Sequence, residues 1–305
     1  MQRAIVELRW GPEGGMKQVL CPGERVSVGR KAKAQWIVPD EHLSGAHFEV
    51  SYDGTRVTVR DLKSAGGTLV GGQKISTDEE VANGGWIRAG ESDFMVYLEA
   101  ATPPDDDELD TALNEDLEDL EPLHARWIEE NRPRLVKEKN RIVARQKAAL
   151  EQFQKVQGQL YAVLDAARTD RILTVVRESV DTYQSLYEGI DGEALEHVAP
   201  YLVKFDASSS LLRRIVEEGW GKRWGIFIEY AGTFKDLRRH LRRYLMVADA
   251  ETRRKFYFRF YDPVCLREFM PTCTPKQRAE FFGEIQAFFV EDTFMHVARF
   301  GREVD

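Results

Sequence analysis

Cysteine and histidine are the residue types in this sequence best suited to ligate a metal or to act as nucleophiles. The chain has three cysteines and six histidines. Cys265 and Cys273 lie eight positions apart with no histidine paired to them, and Cys21 is remote in sequence. Zinc sites use ligands at short, regular spacings, and an odd number of cysteines does not suit a disulfide framework. We therefore predict no metal site, and thiols that stay reduced.

Motifs of known catalytic sites are absent as well. The sequence contains no Walker A loop, no G-x-S-x-G elbow and no H-E-x-x-H pair. Asp262, which Pro263 follows, is expected to end a strand and begin a helix rather than to act in catalysis. We predict no catalytic residue and no cofactor, which leaves a hydrolase or transferase in the C-terminal part as the disfavoured alternative.

Tryptophan and arginine, which are enriched at binding hot spots, cluster in the C-terminal half. Trp220 and Trp224 flank residues 221–223, and both are candidate docking residues, with a place in the core as the alternative. Four arginines share the polar side of a predicted amphipathic helix: Arg238, Arg239, Arg242 and Arg243. They could dock an acidic partner or the acidic segment of this chain; the alternative is a solvated basic face.

The formal net charge of −8 is unevenly distributed over the 305 residues. Residues 1–100 carry −2, residues 101–122 contain ten acidic residues and no basic one, and residues 123–305 carry +4. Nucleic-acid-binding domains are usually strongly basic, so we expect no nucleic-acid partner. The N-terminus lacks the apolar segment of a signal peptide, and no apolar run is long enough to span a membrane. We therefore expect a cytoplasmic protein without membrane insertion.

The sequence pattern predicts several segments that differ in secondary structure. Residues 1–100 contain many short apolar runs separated by glycine-rich turns, including an Asp-Gly hairpin signal at 53–54, which predicts an all-β sandwich. Residues 101–122 form an acidic linker that we expect to be mobile and self-repelling. Its leucines stand at near-helical spacing, so a docked helix is the alternative. Residues 123–157 have the periodicity of a helical arm, which Pro133 begins or kinks.

Strands and helices alternate over residues 158–305, which predicts an α/β or α+β domain. We expect strands over 160–165, 201–205, 225–230 and 255–261. We expect helices over 171–188, 209–218, 233–247, 263–270 and 275–290.

Three segments of the first 100 residues resemble the forkhead-associated (FHA) family in their order and spacing. They are Val-Gly-Arg at 28–30, Leu-Ser-Gly-Ala-His-Phe at 43–48, and the glycine-rich run at 61–72. The resemblance covers about residues 4–99 and implies a β-sandwich whose loops at one end bind phosphothreonine peptides.

The same resemblance implies roles for individual residues. Arg30 would meet the phosphate through charge-assisted hydrogen bonds, Ser44 would donate a hydroxyl hydrogen bond, and Lys31 would add positive potential, as would Lys33. The family's structural positions correspond to Gly29, His47, Gly67 and Thr68.

The sequence departs from the FHA pattern at four positions where asparagine, arginine or threonine side chains are usual. The departures are Gly45, Ala65, Gly66 and Gly71. The missing asparagines normally hold the main chain of the peptide, so the alternative to phosphothreonine binding is a retained fold that docks a partner without phosphate.

A second resemblance covers about residues 158–291 and is to the Tap/TEC adaptor family of bacterial type VI secretion. The matching segments lie at 158–167, 186–189, 199–203, 218–221, 224–227, 237–243, 258–263 and 281–282. This resemblance implies a non-catalytic chaperone that binds a toxic effector and helps to load it onto the VgrG spike protein.

Together these observations predict a multi-domain protein: an FHA β-sandwich, an acidic linker, a helical arm and an adaptor domain. The expected function is that of an effector chaperone with an FHA docking module, and the expected partners are an effector, VgrG and a phosphothreonine protein. The alternative is a phosphothreonine-dependent signalling scaffold without an effector-loading role.

Overall fold

Two compact units make up the part of the chain that the computed structural model describes. The described residues are 2–105, 108–114, 121–187, 195–248 and 254–302. Unit 1 consists of Met1–Pro103 together with Thr174–Val180, and unit 2 consists of Pro104–Leu173 and Asp181–Asp305.

Unit 1 is a sandwich of two sheets built from eleven short strands. The strands are β1 (Ala4–Trp10), β2 (Lys17–Leu20), β3 (Arg25–Gly29), β4 (Trp36–Ile37), β5 (Phe48–Tyr52), β6 (Val57–Asp61), β7 (Thr68–Val70), β8 (Gln73–Lys74), β9 (Glu79–Val81), β10 (Trp86–Ala89) and β11 (Ser92–Leu98). One sheet has the order β2-β1-β11-β10-β7-β8 and the other β4-β3-β5-β6-β9. Within them only the short β3–β4 pair is parallel. The predicted all-β sandwich is confirmed.

The core of unit 1 follows from the two-residue period of its strands. Along β5 the side chains of Phe48, Val50 and Tyr52 are buried, while those between them are partly exposed. Phe94 of β11 packs edge-on against Phe48 and Trp36, with ring centroids 5.2 and 5.4 Å away. Edge-to-face packing of this kind is favourable beyond the apolar area that it buries.

Unit 2 contains seven helices and eight strands among its described residues, α3 being shared with unit 1. The helices are α1 (Glu108–Asn114), α2 (Pro122–Phe153), α3 (Arg171–Arg177), α4 (Leu211–Gly219), α5 (Phe234–Arg242), α6 (Pro263–Phe269) and α7 (Pro275–Phe282). The strands are β12 (Leu160–Asp165), β13 (Thr182–Ser185), β14 (Pro200–Lys204), β15 (Gly225–Glu229), β16 (Met246–Ala248), β17 (Lys255–Tyr257), β18 (Ala287–Glu291) and β19 (Val297–Gly301).

The main sheet of unit 2 has the order β13-β14-β12-β15-β18-β19 and is antiparallel throughout. The domain is therefore of the α+β type rather than a parallel α/β fold. The prediction of a helix over 171–188 is wrong beyond residue 177, because Thr182–Ser185 pairs with β14 as an edge strand. The strand expected over 255–261 ends at Tyr257.

The helical arm α2 is 32 residues long and runs through Pro133 without ending there. At 1.5 Å per residue it extends about 48 Å. Its C-terminal end is fixed in the core by Phe153, which stacks on Phe227 with ring centroids 4.2 Å apart. Within the acidic segment α1 is helical and contacts α2, whereas Leu117 and Leu120 of the predicted leucine stripe lie outside the described residues.

We expect Phe94→Ala to destabilise the sandwich, since deleting a buried phenyl ring removes its apolar contacts and leaves a cavity. The expected loss is about 3–5 kcal/mol in the free energy of unfolding. Amide hydrogen exchange of peptides from residues 4–98 would report it. Phe294→Ala is the matched control, because that ring is 66% exposed. Equal protection of the sandwich in both variants would contradict this packing.

Candidate functional site

Three loops of the sandwich meet at one of its ends, and hydrogen bonds between backbone groups hold them together. The loop that follows β3 contacts the loop that precedes β5: Arg30 N donates to Ser44 O (3.0 Å) and Lys31 N donates to Gly45 O (3.2 Å). Gly29 is required at this crossing, because a Cβ there would lie 2.5 Å from Gly45 O. The predicted structural role of Gly29 thus has a steric reason.

His47 links this pair of loops to the loop between β6 and β7. Its imidazole is fully buried. The Ser44 N–H points at Nδ1 (3.0 Å), and Nε2 lies 3.1 Å from the carbonyl oxygen of Gly67. Nδ1 must therefore accept and Nε2 must donate, which is the neutral tautomer with its proton on Nε2. His47 holds the loops from inside, in agreement with the FHA resemblance.

Ser44 is positioned so that its hydroxyl proton points to no acceptor among the described residues. Its Oγ accepts a hydrogen bond from Ala65 N (3.0 Å). Because a hydroxyl can accept and donate at once, Ser44 can give its own proton to a ligand oxygen while it fixes the 62–67 loop.

Asp61 shapes the same loop, and sequence reasoning did not single it out. Its carboxylate accepts from Ser64 N (2.9 Å), Ser64 Oγ (2.6 Å) and the buried Thr68 Oγ1 (2.7 Å). Burial opposes ionisation of Asp61, but the hydrogen bonds from Ser64 and Thr68 outweigh it, so its pKa lies below the usual value. The sequence does carry a signal for this role of Asp61. An aspartate three residues before a serine is typical of a turn in which the aspartate side chain hydrogen-bonds to the following backbone.

Cations surround the loops on their solvent side. Arg30 and Lys31 are exposed, and the stem of Lys31 lies against Gly45, 3.7 Å from where a Cβ would be. Lys74, which sequence reasoning missed, donates from Nζ to Gly66 O (3.1 Å). Gly67 has φ of +81°, and a Cβ there would lie 2.1 Å from Lys74 Cε. The loop end thus presents a guanidinium, a hydroxyl and two ammonium groups to solvent.

The predicted docking residues of the C-terminal part are largely engaged inside unit 2. Trp220 and Trp224 are 4% and 6% exposed, and the Trp220 indole donates to Met295 O (2.8 Å). This is the core placement that the sequence left as the alternative, so neither indole presents a docking surface in this structure.

The four arginines of α5 also have partners. Arg238 donates to Ser185 O (2.8 Å), and Arg242 donates to Leu186 O (3.0 Å), so both tie α5 to the end of β13. Arg239 pairs with Asp236, and Arg243 contacts His240. Burial lowers the pKa of His240, and the nearby positive charge of Arg243 lowers it further. The hydrogen bond between the His240 ring and the Phe281 carbonyl acts in the opposite direction but is outweighed. The four arginine side chains therefore make contacts within unit 2.

A cluster of buried carboxylates and arginines lies in the same domain. Asp165 is fully buried and accepts from Arg259, while Asp262 accepts from Arg168 and Arg223. Burial opposes ionisation of Asp262, but its bonds from Arg223 and from Val264 N keep its pKa below the usual value. Asp262 also caps α6, as expected for a helix start. A carboxylate held ionised in this way is suited to structure rather than to proton transfer.

No group of three or more His, Cys, Asp or Glu side chains in the described ranges could hold a metal ion. Of the helices that the structure describes, none is both long and apolar enough to cross a bilayer.

We expect the stability of the sandwich to depend on the charge of Asp61. A carboxyl group whose folded-state pKa is lowered stabilises the fold above its unfolded pKa of about 3.9, and this contribution is lost as the pH falls through the folded-state value. Asp61→Asn should cost about 1–3 kcal/mol at pH 7, since the turn loses charge-assisted hydrogen bonds. Urea denaturation at pH 7, 5 and 3 should show the difference from the wild type shrinking at pH 3; a constant difference would contradict this role.

Comparison with known proteins finds one family match in each half of the chain. Residues 26–90 match the family model of the FHA domain, and residues 160–280 match that of a domain of unknown function, DUF4123. The FHA domain-containing protein FhaA of Mycobacterium tuberculosis is 35% identical over 93 residues, which are 30% of this chain and 17% of FhaA. This chain therefore spans about a sixth of the length of that relative.

Solved structures resemble the first unit as well. The FhaA FHA domain, crystallised with the intracellular domain of another protein, is 31% identical, with a TM-score of 0.28, over 30% of this chain and 98% of that one. A structure from work on phosphothreonine-dependent FHA domain interactions is 30% identical, with a TM-score of 0.29, over 31% of this chain and 95% of that one. By its family matches, the chain joins an FHA domain to a DUF4123 domain.

Proposed function

We propose that this protein is an adaptor with two docking modules. The FHA domain docks a phosphothreonine-bearing protein, and the DUF4123 domain binds a toxic effector of type VI secretion and assists its loading onto the VgrG spike. The observation that carries the first half is the loop end of the sandwich, where Arg30 is exposed beside a serine hydroxyl that can still donate.

The chemistry of that loop end suits a phosphate. A phosphothreonine carries about −1.5 to −2 charges and three strong acceptor oxygens. The Arg30 guanidinium is exposed and makes no hydrogen bond or ion pair with the other described residues, so it can approach the phosphate as a two-pronged donor. Ser44, whose backbone carbonyl accepts from Arg30 N (3.0 Å), supplies a neutral donor from the neighbouring loop. Charge-assisted hydrogen bonds contribute about 1.5–3 kcal/mol each, which makes Arg30 the dominant contact.

The glycines in the loops set the expected strength of binding. Gly45 and Gly66 offer no side-chain amide to the peptide backbone, and neither does Gly71 in the β7–β8 turn. Losing two or three hydrogen bonds of about 0.5–1.5 kcal/mol each weakens binding roughly ten- to a thousandfold. Recognition therefore depends more on charge here than on main-chain contacts, and should weaken with added salt.

The effector half of the proposal is supported by the C-terminal sequence pattern. The segments that resemble the Tap/TEC adaptors, at about 158–291, overlap the DUF4123 match at 160–280. The arm α2 adds an exposed apolar surface: Leu123 is 84% exposed and Trp127 is 51% exposed. Leu123 and Trp127 are four residues apart and so share one face of α2, and contiguous exposed apolar surface marks protein-binding sites. Since the tryptophans and arginines predicted to dock are engaged internally, α2 is the surface that we propose for the effector.

We expect the full chain to bind a phosphothreonine peptide and Arg30→Ala to lose at least tenfold in affinity, because the main charge-assisted contact disappears. Fluorescence anisotropy with a labelled peptide measures it. Arg56→Ala is the matched control, because Arg56 lies in the turn at the opposite end of β5. If the unphosphorylated peptide binds equally well, the domain docks its partner without phosphate.

We expect the tagged full chain to retain a toxin-like protein and VgrG from a lysate of the native host, as identified by mass spectrometry. Trp127→Glu should reduce this retention, because it puts a charge on the apolar surface of α2. Arg30→Ala should leave it intact. If neither protein is retained, while phosphothreonine proteins are captured through Arg30, the effector-loading role is wrong and the signalling scaffold replaces it.

A further inference from the structure

Two glycines at the loop end of the sandwich each have a lysine laid against them. The Lys74 side chain crosses Gly67 and ends on the carbonyl oxygen of Gly66, 3.1 Å from Nζ. The Lys31 stem lies against Gly45. Glycine provides no side-chain donor at these positions, and a lysine side chain, which carries an ammonium group, lies close to each of them.

The position of Lys74 leaves it able to bind a ligand. An ammonium group has three donors and no acceptor. One of the three is used by Gly66 O, which fixes the head group at the edge of the 62–67 loop, and Ser44 contacts that loop through Ala65 N (3.0 Å). Lys74 is exposed, which leaves its other two donors available to a ligand. Lys74 and Ser44 thus border the same short loop.

The loop end of the sandwich carries more positive charge than one phosphate group would neutralise. The exposed cations of these loops and of the adjoining strand β8 are Arg30, Lys31, Lys33, Lys63 and Lys74. Two of the nearby acids are turned inward: Asp61 binds Ser64 and Thr68, and Asp40 binds Ser92 Oγ (2.7 Å). Glu41 is the exposed acid in the loop between β4 and β5. A single phosphothreonine, with about −1.5 to −2 charges, would leave much of this positive potential unmatched.

We propose that the FHA domain recognises a phosphothreonine accompanied by a second anionic group, a carboxylate or a further phosphate, and that Lys74 and Lys31 bind this second group. The inference rests on the proposed phosphothreonine docking and specifies its ligand. Lys74 and Lys31 are then specificity-determining residues, while Arg30 binds the phosphothreonine itself. Affinity for such peptides should fall steeply with ionic strength, because several exposed charges contribute.

The test is a peptide scan by fluorescence anisotropy with the full chain. The parent peptide is alanine-based with a central phosphothreonine, and aspartate or phosphoserine is placed singly at positions −3 to +4. The variants are Lys74→Gln and Lys31→Gln, with Lys147→Gln on α2 as the matched control for loss of one exposed charge. Arg30→Ala reports whether the phosphothreonine itself is bound.

We expect at least one acidic position to strengthen binding about two- to fivefold, the range of one favourable ion pair at a surface. Lys74→Gln should abolish this preference while the parent peptide still binds through Arg30. Lys31→Gln should abolish it as well and should also weaken the parent peptide, because Lys31 adds positive potential beside the phosphate. Lys147→Gln should change nothing. Comparing aspartate with phosphoserine distinguishes the two sources of negative charge.

Two results would overturn the inference in distinguishable ways. If the parent peptide binds through Arg30 but no acidic position improves affinity, or the preference survives in both lysine variants, the second anionic group is refuted and phosphothreonine docking stands. If the wild-type chain binds none of the phosphopeptides, phosphothreonine docking fails and the inference fails with it.

Discussion

A single buried imidazole fixes the geometry on which the candidate site depends. His47 has no contact with solvent, and its two ring nitrogens are satisfied by the Ser44 N–H and the Gly67 carbonyl. An unsatisfied polar group at that depth would be costly, so separation of the two loops is opposed by the loss of the His47–Gly67 bond as well as of the Ser44–Ala65 bond. The position of the Ser44 hydroxyl and the course of the Gly66–Gly67 turn depend on this link.

The two domains use their charged residues in different ways. In the FHA domain the cations stand at the loop end and face solvent, while the carboxylate of Asp61 is turned inward to shape a loop. In the DUF4123 domain several arginines are paired with buried carboxylates or with backbone carbonyls, as Arg259 is with Asp165 and Arg238 with Ser185. Removing the arginine would leave a buried carboxylate without its partner, so these arginines stabilise the domain.

The sequence predicts the features that depend on neighbouring residues. The short strands, the helical arm and the helix start at Asp262 all follow from local periodicity and capping chemistry. Features that depend on distant residues were missed. Residues 182–185 become a strand because β14 pairs with them, and the contact of Lys74 with Gly66 depends on the β7–β8 pairing. For Trp220 and Trp224 the sequence left both docking and the core open, and the fold places them in the core.

Hydrogen-exchange mass spectrometry of the full chain with a phosphothreonine peptide tests the central claim most directly, because it reports the location of binding without a substitution. Peptide binding should slow exchange in the segments 30–45 and 62–67 and leave residues 160–187 and 195–248 unchanged. Slowing should be absent with the unphosphorylated peptide. Unaltered exchange in both loop segments, or equal slowing by the two peptides, would contradict a phosphate-reading site held together by His47.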